Sequence, residues 1–412
     1  MRAFFSAACE ALPARYVTEP MDREKAVGKD TTVGIIGDGQ LGMMLCEAGK
    51  ALALGTVILT SDKNSPAAQR ADQAIVGAMD AAGAIDTLIE RCDVITYERE
   101  DVPPATLEQL REAEGLGRVR CYPPVSAIEV LQDKARQKTW LRDQGLATLP
   151  FAIVDGSAGQ LQAAADQLGY PLVQKALRGG FDGRGVQLLR DSDALEKAWP
   201  GDTMLEKHAG KFREIAVLVV RDRNGNCAHF GPVDMTFEED YAVLDTVSAP
   251  ANIPAPVHEQ ALALAYAAAH ALNGVGVFGV EMFLLEDDTV LINEIAPRVH
   301  NSGHYSMEAC ESSQFEQHLR AVAGLPLAST VLRQPAAMIN ILCTPALKQR
   351  NADYPAGQTR DAQGSAVHWY GKSPARLMRK LGHITATAAS PAEALRISRA
   401  SWDAIQQGTS QS

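Results

Sequence analysis

Glu281 and Glu294 carry the strongest chemical signal in the chain, because of where their spacing puts them. Residues 277–285 are apolar and strand-like; Glu286, Asp287 and Asp288 interrupt the run; residues 289–295 resume it. Two such runs separated by turn residues read as a β-hairpin. A two-residue turn at Asp287-Asp288 sets Glu281 directly opposite Glu294. Opposed residues of an antiparallel pair lie about 4.5–5.5 Å apart at Cβ, and like charges there repel. Each carboxylate also leaves an otherwise apolar strand, where an unpaired charge is costly. A divalent cation removes both penalties. Mg²⁺ prefers oxygen ligands and is commonly held by one or two carboxylates together with substrate phosphates. Two glutamates on a solvated edge would need no metal. The polar string that follows at once (Arg298, His300, Asn301, Ser302, His304) favours a site for an anionic substrate.

Composition narrows the classes open to such a site. The chain has 412 residues, 46% hydrophobic and 22% charged, an ordinary globular balance with length for two or three domains. A net charge of −11 argues against a nucleic-acid surface, so anionic substrates require cations concentrated in the site. Seven scattered cysteines without a CxxC pair argue against a structural zinc or a disulfide framework, and fit a reducing cytoplasm. No apolar run reaches the roughly 18 residues of a membrane span. Residues 1–30 read as an irregular extension, their apolar patch being too short for a signal peptide.

The elements that must position the site follow in order. Residues 31–37 form a buried strand. Gly37, Gly39 and Gly42 then give a GxGxxG spacing before a helix at 41–54, and a strand at 57–60 ends near Asp62. This is close to a dinucleotide fingerprint. Its physics requires only a tight turn offering N–H groups to an anion at a helix N-terminus, so NAD and a sugar phosphate both remain open. The strand at 93–97 ends at Glu98, and the strand–helix rhythm to about residue 125 predicts an open parallel sheet. A helix at 126–144 carries Lys134. Strands at 171–177 and 185–189 flank a loop with Gly179, Gly180 and Gly183. A hairpin flap of this kind is no Walker A loop, yet its N–H groups can cover phosphates while Lys175 and Arg184 supply charge. Helices are expected at 257–272 and 308–323, and Ser390 with Glu393 reads as a capping box. Lys372, Arg376, Arg379 and Lys380 form a basic cluster in an acidic chain.

The string NEIAPRVHNSGH (293–304) resembles the signature of the N5-carboxyaminoimidazole ribonucleotide synthase family, ATP-grasp enzymes of purine biosynthesis. The resemblance extends over about residues 32–385. It implies an α/β ATP-grasp fold: a Rossmann-like open parallel sheet (31–130), a small lid domain (131–205), and a mixed-sheet catalytic domain with a basic element (206–412). Glu281 and Glu294 match the family's Mg-ATP ligands. Lys134, Lys175, Asn293 and the flap residues Gly180, Phe181, Asp182, Gly183, Arg184 and Gly185 match ATP-binding positions. Glu206, Lys207 and Ala209 fall on the adenine side and Glu214 at the ribose. Gly39, Gln40 and Leu41 match the ribonucleotide phosphate site; Glu98, Asn301, Ser302, Arg379 and Lys380 match other substrate positions. Arg298, His300 and Lys372 fall at the bicarbonate end. The implied substrates are ATP, bicarbonate and 5-aminoimidazole ribonucleotide, joined through carboxyphosphate, with Mg²⁺ as cofactor in a cytoplasmic homodimer. Three places depart from the family pattern. Arg99 stands for an aromatic, Phe181 for a tyrosine, and 232–245 lacks the family's histidine. They leave another ATP-grasp ligase or carboxylase, or a weakened nucleotide-binding paralogue, as alternatives. An NAD dehydrogenase would leave Glu281, Glu294 and the flap unexplained.

Overall fold

Strand and helix alternate through the first described hundred residues, as the sequence predicts. A computed structural model describes residues 31–179, 185–238, 242–349 and 356–408. The extension at 1–30 and the flap residues Gly180, Phe181, Asp182, Gly183 and Arg184 lie outside them. Strands β1 (Thr32–Ile36), β2 (Gly55–Thr60), β3 (Gln73–Val76), β4 (Val94–Tyr97) and β5 (Arg120–Cys121) form a parallel sheet in the order β3-β2-β1-β4-β5. Val33, Ile35 and Ile36 of central β1 are fully buried, as a strand covered on both faces must be. Strand order reverses between β1 and β4, and ligands of open parallel sheets bind in the crevice beyond such a switch point. Glu98 follows β4 there.

The lid is antiparallel, with β6 (Phe151–Val154), β7 (Leu172–Ala176), β8 (Val186–Leu189) and β9 (Thr203–Lys207) in the order β6-β9-β7-β8. Its own core joins Val154, Leu161, Leu168, Leu172 and Leu205. The helix expected at 126–144 is two helices, Val125–Leu131 and Lys134–Asp143. Asp133 breaks it by accepting the backbone N–H of Arg136, a cap that competes with helix continuation. Leu141 and Leu146 pack with Ile215, Val217 and Val280 of the large sheet, so this segment belongs by packing to the catalytic half. Lys134 thereby becomes the first residue of a helix that points at the glutamate hairpin.

The large sheet holds β10 (Phe212–Arg221), β11 (Cys227–Phe237), β12 (Leu244–Ala249), β13 (Gly276–Leu285), β14 (Val290–Ala296), β15 (Ala336–Leu342), β16 (Gly357–Arg360), β17 (Ala366–Trp369) and β18 (Lys380–Thr387). Their order is β14-β13-β10-β11-β12-β15-β18-β17-β16. Where a mixed sheet was expected, every strand pairing is antiparallel. Among the described residues, the parallel contact made to this sheet is the isolated bridge between Thr148 and Ile292. Parallel neighbours need long crossovers, whereas hairpins can join most of these strands directly.

Strand β10 buries both faces by simple alternation. Ile215, Val217 and Val219 share a core with Ala261, Ala265 and Ala268 of helix Ala255–Ala271. Ala216, Leu218 and Val220 share another with Leu319 and Val322 of helix Gln314–Ala323 and with Leu41, Met44 and Leu45 of helix Gln40–Ala51. Each fully buried aliphatic side chain contributes about 1.5–3 kcal/mol, so this second core fastens the N-terminal sheet to the catalytic half. His318 reinforces it: its Nδ1 accepts the Val277 N–H (3.0 Å) and its Nε2 lies 2.7 Å from Thr96 Oγ1. The helix expected at 308–323 is likewise divided, into Ser306–Ala309 and Gln314–Ala323, because Ser313 caps the second by accepting the Glu316 N–H. Ser390 caps the last helix as expected, its Oγ accepting the Glu393 N–H at 3.2 Å. Among the described residues no helix is long and apolar enough to cross a membrane, and the six described cysteines are free thiols.

Candidate active site

Glu281 and Glu294 are register partners on β13 and β14. The spacing predicts this pairing, but the turn that produces it differs. Leu285 N–H donates to Thr289 O (2.9 Å) and Asp288 N–H to Leu285 O (3.1 Å), with Asp288 at φ 63°. The tip is therefore three residues long, and Met282 and Leu284 pair with Ile292 and Val290. A bulge at Asn293 inserts one residue and restores Glu281 opposite Glu294. Two one-residue departures cancel. The bulge also leaves successive residues Asn293 and Glu294 both half-buried, where plain alternation would send them to opposite faces.

Both bulge residues meet lysines. Lys134 Nζ lies 2.5 Å from Glu294 Oε2, and Lys175 Nζ lies 3.2 Å from Asn293 Oδ1. Lys175, on β7, also lies 2.6 Å from Glu206 Oε2 on β9. Glu206 is buried on the inner face of β9, and Lys207, next along, is exposed. The other oxygen of Glu206 is 2.7 Å from Lys138 Nζ. Burial works against the Glu206 carboxylate, but Lys138 and Lys175 hold it ionised below its ordinary range. Ala209 lies just beyond β9, and Glu214 on β10 is pushed up to about 7 by burial and by Glu294.

The switch-point crevice adds a second charged group. Arg298 clasps Glu100 with two donors, Nη2 at 3.0 Å from Oε1 and Nε on Oε2. Glu98 lies buried beside them, its carboxyl raised by burial against the pull of Arg298 and Lys372. A Cβ at Gly39 would stand 2.5 Å from Glu98 Oε1, so only glycine admits this carboxylate to the loop that precedes Gln40 and Leu41. The Gly39 N–H thus acts on the Glu98 carboxylate and helps to hold its charge. Arg99, which stands for an aromatic in the family pattern, pairs with Asp101.

His300 connects the two groups. Burial, with Arg298 and Lys380 nearby, lowers its imidazole to about 3, so the ring is neutral. Its Nδ1 accepts the Ser302 N–H (3.3 Å) and lies 2.9 Å from Ser302 Oγ. That leaves Nε2–H to donate toward Glu281 Oε1 at 3.2 Å. Ser302 is fully buried, so it orients His300 and does not face a substrate. Asn301 is likewise spent on structure: its amide and that of Asn340 bond reciprocally, at 3.1 and 2.7 Å. In this structure both side chains support the loop. Asn301→Ala should leave the KM for ATP unchanged but cost about 1–3 kcal/mol, because buried Asn340 loses partners; the urea midpoint measures it.

The basic element divides in the same way. Lys372 Nζ sits 5.5 Å from the centre of the buried Tyr370 ring. Gly371, at φ 64°, takes a turn that a side chain would resist, and a Cβ there would meet Ala356 at 2.9 Å. Lys372 acts electrostatically on Glu98, and Lys380 on Glu281 and His300. Arg379 instead bonds the carbonyls of Ser373 and Pro374, at 3.3 and 2.9 Å, and holds their turn together.

The donor set fits a divalent cation at Glu281 and Glu294. Burial and the neighbouring Glu294 and Glu214 push Glu281 up, while Lys134 holds Glu294 down. Lys134 contacts Glu294 directly, Lys175 and Lys380 act on the pair from farther off, and Glu281 meets the neutral His300. A second cluster, Glu308, His368 and His383, brings its donor atoms within 4.8 Å. Its two imidazoles stack 4.3 Å apart at 5°, so their in-plane lone pairs run parallel and do not converge on one ion. His368 bonds Glu308 (2.7 Å) and His383 Nδ1 lies 2.8 Å from Tyr370 Oη; the array packs the strand that leads to Lys372.

Two residues were missed from sequence. Lys138 shares a helix face with Lys134 at i,i+4, which was a usable signal. Glu100 was visible two residues beyond Glu98, but its guanidinium partner is 198 residues away.

The chain matches three family models in order: a ribonucleotide synthetase preATP-grasp domain (30–132), an ATP-grasp domain (139–315) and a phosphoribosylaminoimidazole carboxylase C-terminal domain (336–397). It is 40% identical to the N5-carboxyaminoimidazole ribonucleotide synthase of Synechococcus elongatus, over 87% of this chain and 90% of that one. With the Brucella melitensis enzyme of the same name it shares 39% identity, over 86% and 96%. Among solved structures, an N5-carboxyaminoimidazole synthase from Aspergillus clavatus in complex with ADP and 5-aminoimidazole ribonucleotide superposes with a TM-score of 0.80 at 34% identity, covering 92% of this chain and 99% of that one. An ADP complex of an N5-carboxyaminoimidazole ribonucleotide synthetase gives 0.82 at 34%, covering 94% and 100%. The fold as a whole thus has its counterparts in one group of ATP-grasp ligases, and the chain belongs to the N5-carboxyaminoimidazole ribonucleotide synthase family.

Proposed function

We propose that the chain carboxylates 5-aminoimidazole ribonucleotide at its amine, using ATP and bicarbonate and releasing ADP and phosphate. The observation that carries this reading is the facing pair Glu281 and Glu294, set against Lys134 and Lys175 at the foot of the lid. Bicarbonate is a poor electrophile, so ATP must first convert it to carboxyphosphate. Glu281 and Glu294 would hold Mg²⁺, which when bound offsets the charge of the nucleotide phosphates. Lys134 and Lys175 neutralise charge on the transferring phosphoryl group, and fixed cations of this kind need no reorganisation during reaction. Glu206, Lys207, Ala209, Glu214 and the flap residue Gly185 frame the nucleotide. The neutral His300 orients Glu281 by its Nε2–H. Arg298 and Lys372 hold bicarbonate and its phosphorylated form, and Glu98, Lys380 and the 39–41 loop receive the ribonucleotide. Bringing amine and carboxyl donor together supplies much of the remaining barrier reduction. Cytoplasmic location and homodimer formation rest on the family resemblance, and size-exclusion chromatography with light scattering tests the latter.

The test of the function is ADP release with ATP and bicarbonate, with and without the ribonucleotide. Release that ignores the ribonucleotide would point to a different ligase or a weakened paralogue. Lys372 gives a sharper check. It is half-buried over an aromatic ring, where its attraction for an anion exceeds that at an open surface. Lys372→Met should lower kcat more than it raises the KM for ATP, since the lost contact is strongest in the transition state. Kinetics with bicarbonate varied decide the point; an unchanged kcat would remove Lys372 from the site.

A further inference from the structure

The two oxygens of Glu206 are divided between two lysines that do different things. Lys138 stands one helical turn beyond Lys134, on the same face. Its Nζ lies 2.7 Å from Glu206 Oε1, 2.6 Å from Thr148 Oγ1 and 3.3 Å from Ile292 O. Two of its three N–H donors go to Thr148 and Ile292, and its charge is engaged by the ion pair with Glu206 Oε1, so Lys138 is held within the protein. Its side chain is 3% exposed, and it can touch no substrate. Lys175 takes the other oxygen, Oε2, at 2.6 Å and reaches Asn293 on the bulge of β14 with what remains.

We infer that Lys138 is a positioning residue that acts through Glu206: by occupying Oε1 it confines the carboxylate's hold on Lys175 to Oε2, and so keeps the Lys175 ammonium beside Asn293 for a nucleotide phosphate. Glu206 is almost wholly buried, and a buried carboxylate that loses one of two cations draws harder on the other. Without Lys138, Lys175 turns inward to serve both oxygens and leaves Asn293. Lys138 also donates to Ile292 O, one residue before the bulge, so the same side chain ties lid, helix and hairpin at one point. The lysine itself is under strain: burial, opposed by Glu206, lowers it to about 8. The inference rests on the reading of Lys175 as a nucleotide-binding lysine.

Steady-state kinetics on the full chain, with ATP, bicarbonate and ribonucleotide varied in turn, test it. Lys138→Met should raise the KM for ATP about tenfold while kcat changes less than about threefold and the KM for ribonucleotide holds. Lys138→Arg, which keeps the charge, should recover most of the loss. In a Lys175→Met background, adding Lys138→Met should raise the KM no further, because the effect passes through Lys175. A purely structural role would lower melting temperature and active fraction, seen as reduced kcat with KM intact, and that result overturns the inference. So does additivity of the two substitutions. If Lys138→Met does not fold, Lys138→Gln, which keeps a donor for Thr148 but no charge, is read by the same criteria. Lys175→Met alone separates the two readings. An unchanged KM for ATP there removes the role of Lys175 itself, whereas a raised KM with a silent Lys138→Met overturns only the role of Lys138.

Discussion

Glu294→Gln should abolish Mg-ATP turnover, with ADP release falling by on the order of a hundredfold to a thousandfold, the range seen when one preorganised charge-stabilising group is removed. The substitution changes charge and almost no volume. It removes one of two facing carboxylates and the partner of Lys134 at 2.5 Å, so cation binding and lysine placement fail together. The fold should survive. Glu294's side chain is 40% exposed and its ion pair with Lys134 is correspondingly weak, within the roughly 0.2–1 kcal/mol of solvent-accessible pairs. Relief of the repulsion with Glu281 works in the opposite direction. Thermal unfolding alongside a coupled ADP assay checks both halves. Near-normal ADP release would end the assignment of the hairpin as the cation site.

Arg298→Lys should be nearly as damaging, for a geometric reason. Arg298 engages Glu100 through two nitrogens at once and Val299 O through the third, at 3.1 Å. An ammonium cannot reproduce that planar fork. Lysine nevertheless keeps a positive charge between Glu98 and Glu100, whereas Arg298→Ala would strand the buried Glu98 and the half-buried Glu100, at a cost below the roughly 3–5 kcal/mol of a fully buried pair. The lysine variant should therefore fold, keep its KM for ATP within about threefold, and lose about a hundredfold in ribonucleotide-dependent kcat. Arg298 in a purely structural role would show the reverse pattern: lowered stability with kcat within threefold.

The departures from the family pattern bear on these expectations unequally. Arg99 pairs with Asp101 at the rim and leaves Glu98 in place. The segment 232–245 lacks the family's histidine, and its Asp234 pairs with Arg213 on the neighbouring strand. Neither change touches Glu281, Glu294, Lys134 or Lys175, so the end proposed for phosphoryl transfer keeps its charges.

What the sequence by itself determined was local. The apolar runs at 277–285 and 290–296, the cap at Ser390, and the strand–glycine–helix unit at 32–51 each follow from interactions within a few residues, which the local pattern reports directly. The helices at 126–144 and 308–323 were overrun because Asp133 and Ser313 read as interior polar residues until their side chains are seen to cap. The family motifs carried the order of the site residues, but a motif names a residue without saying which way it faces. Asn301 and Ser302 lie within the signature, yet they turn inward to Asn340 and His300. Only the tertiary structure decided which charges meet: Arg298 with Glu100, Lys138 and Lys175 with Glu206, Lys134 with Glu294. Each of these pairs joins segments brought together by sheet packing, and a buried charge takes whichever opposite charge the fold delivers. Such a partner is fixed by distance in space, about which spacing along the chain carries no information.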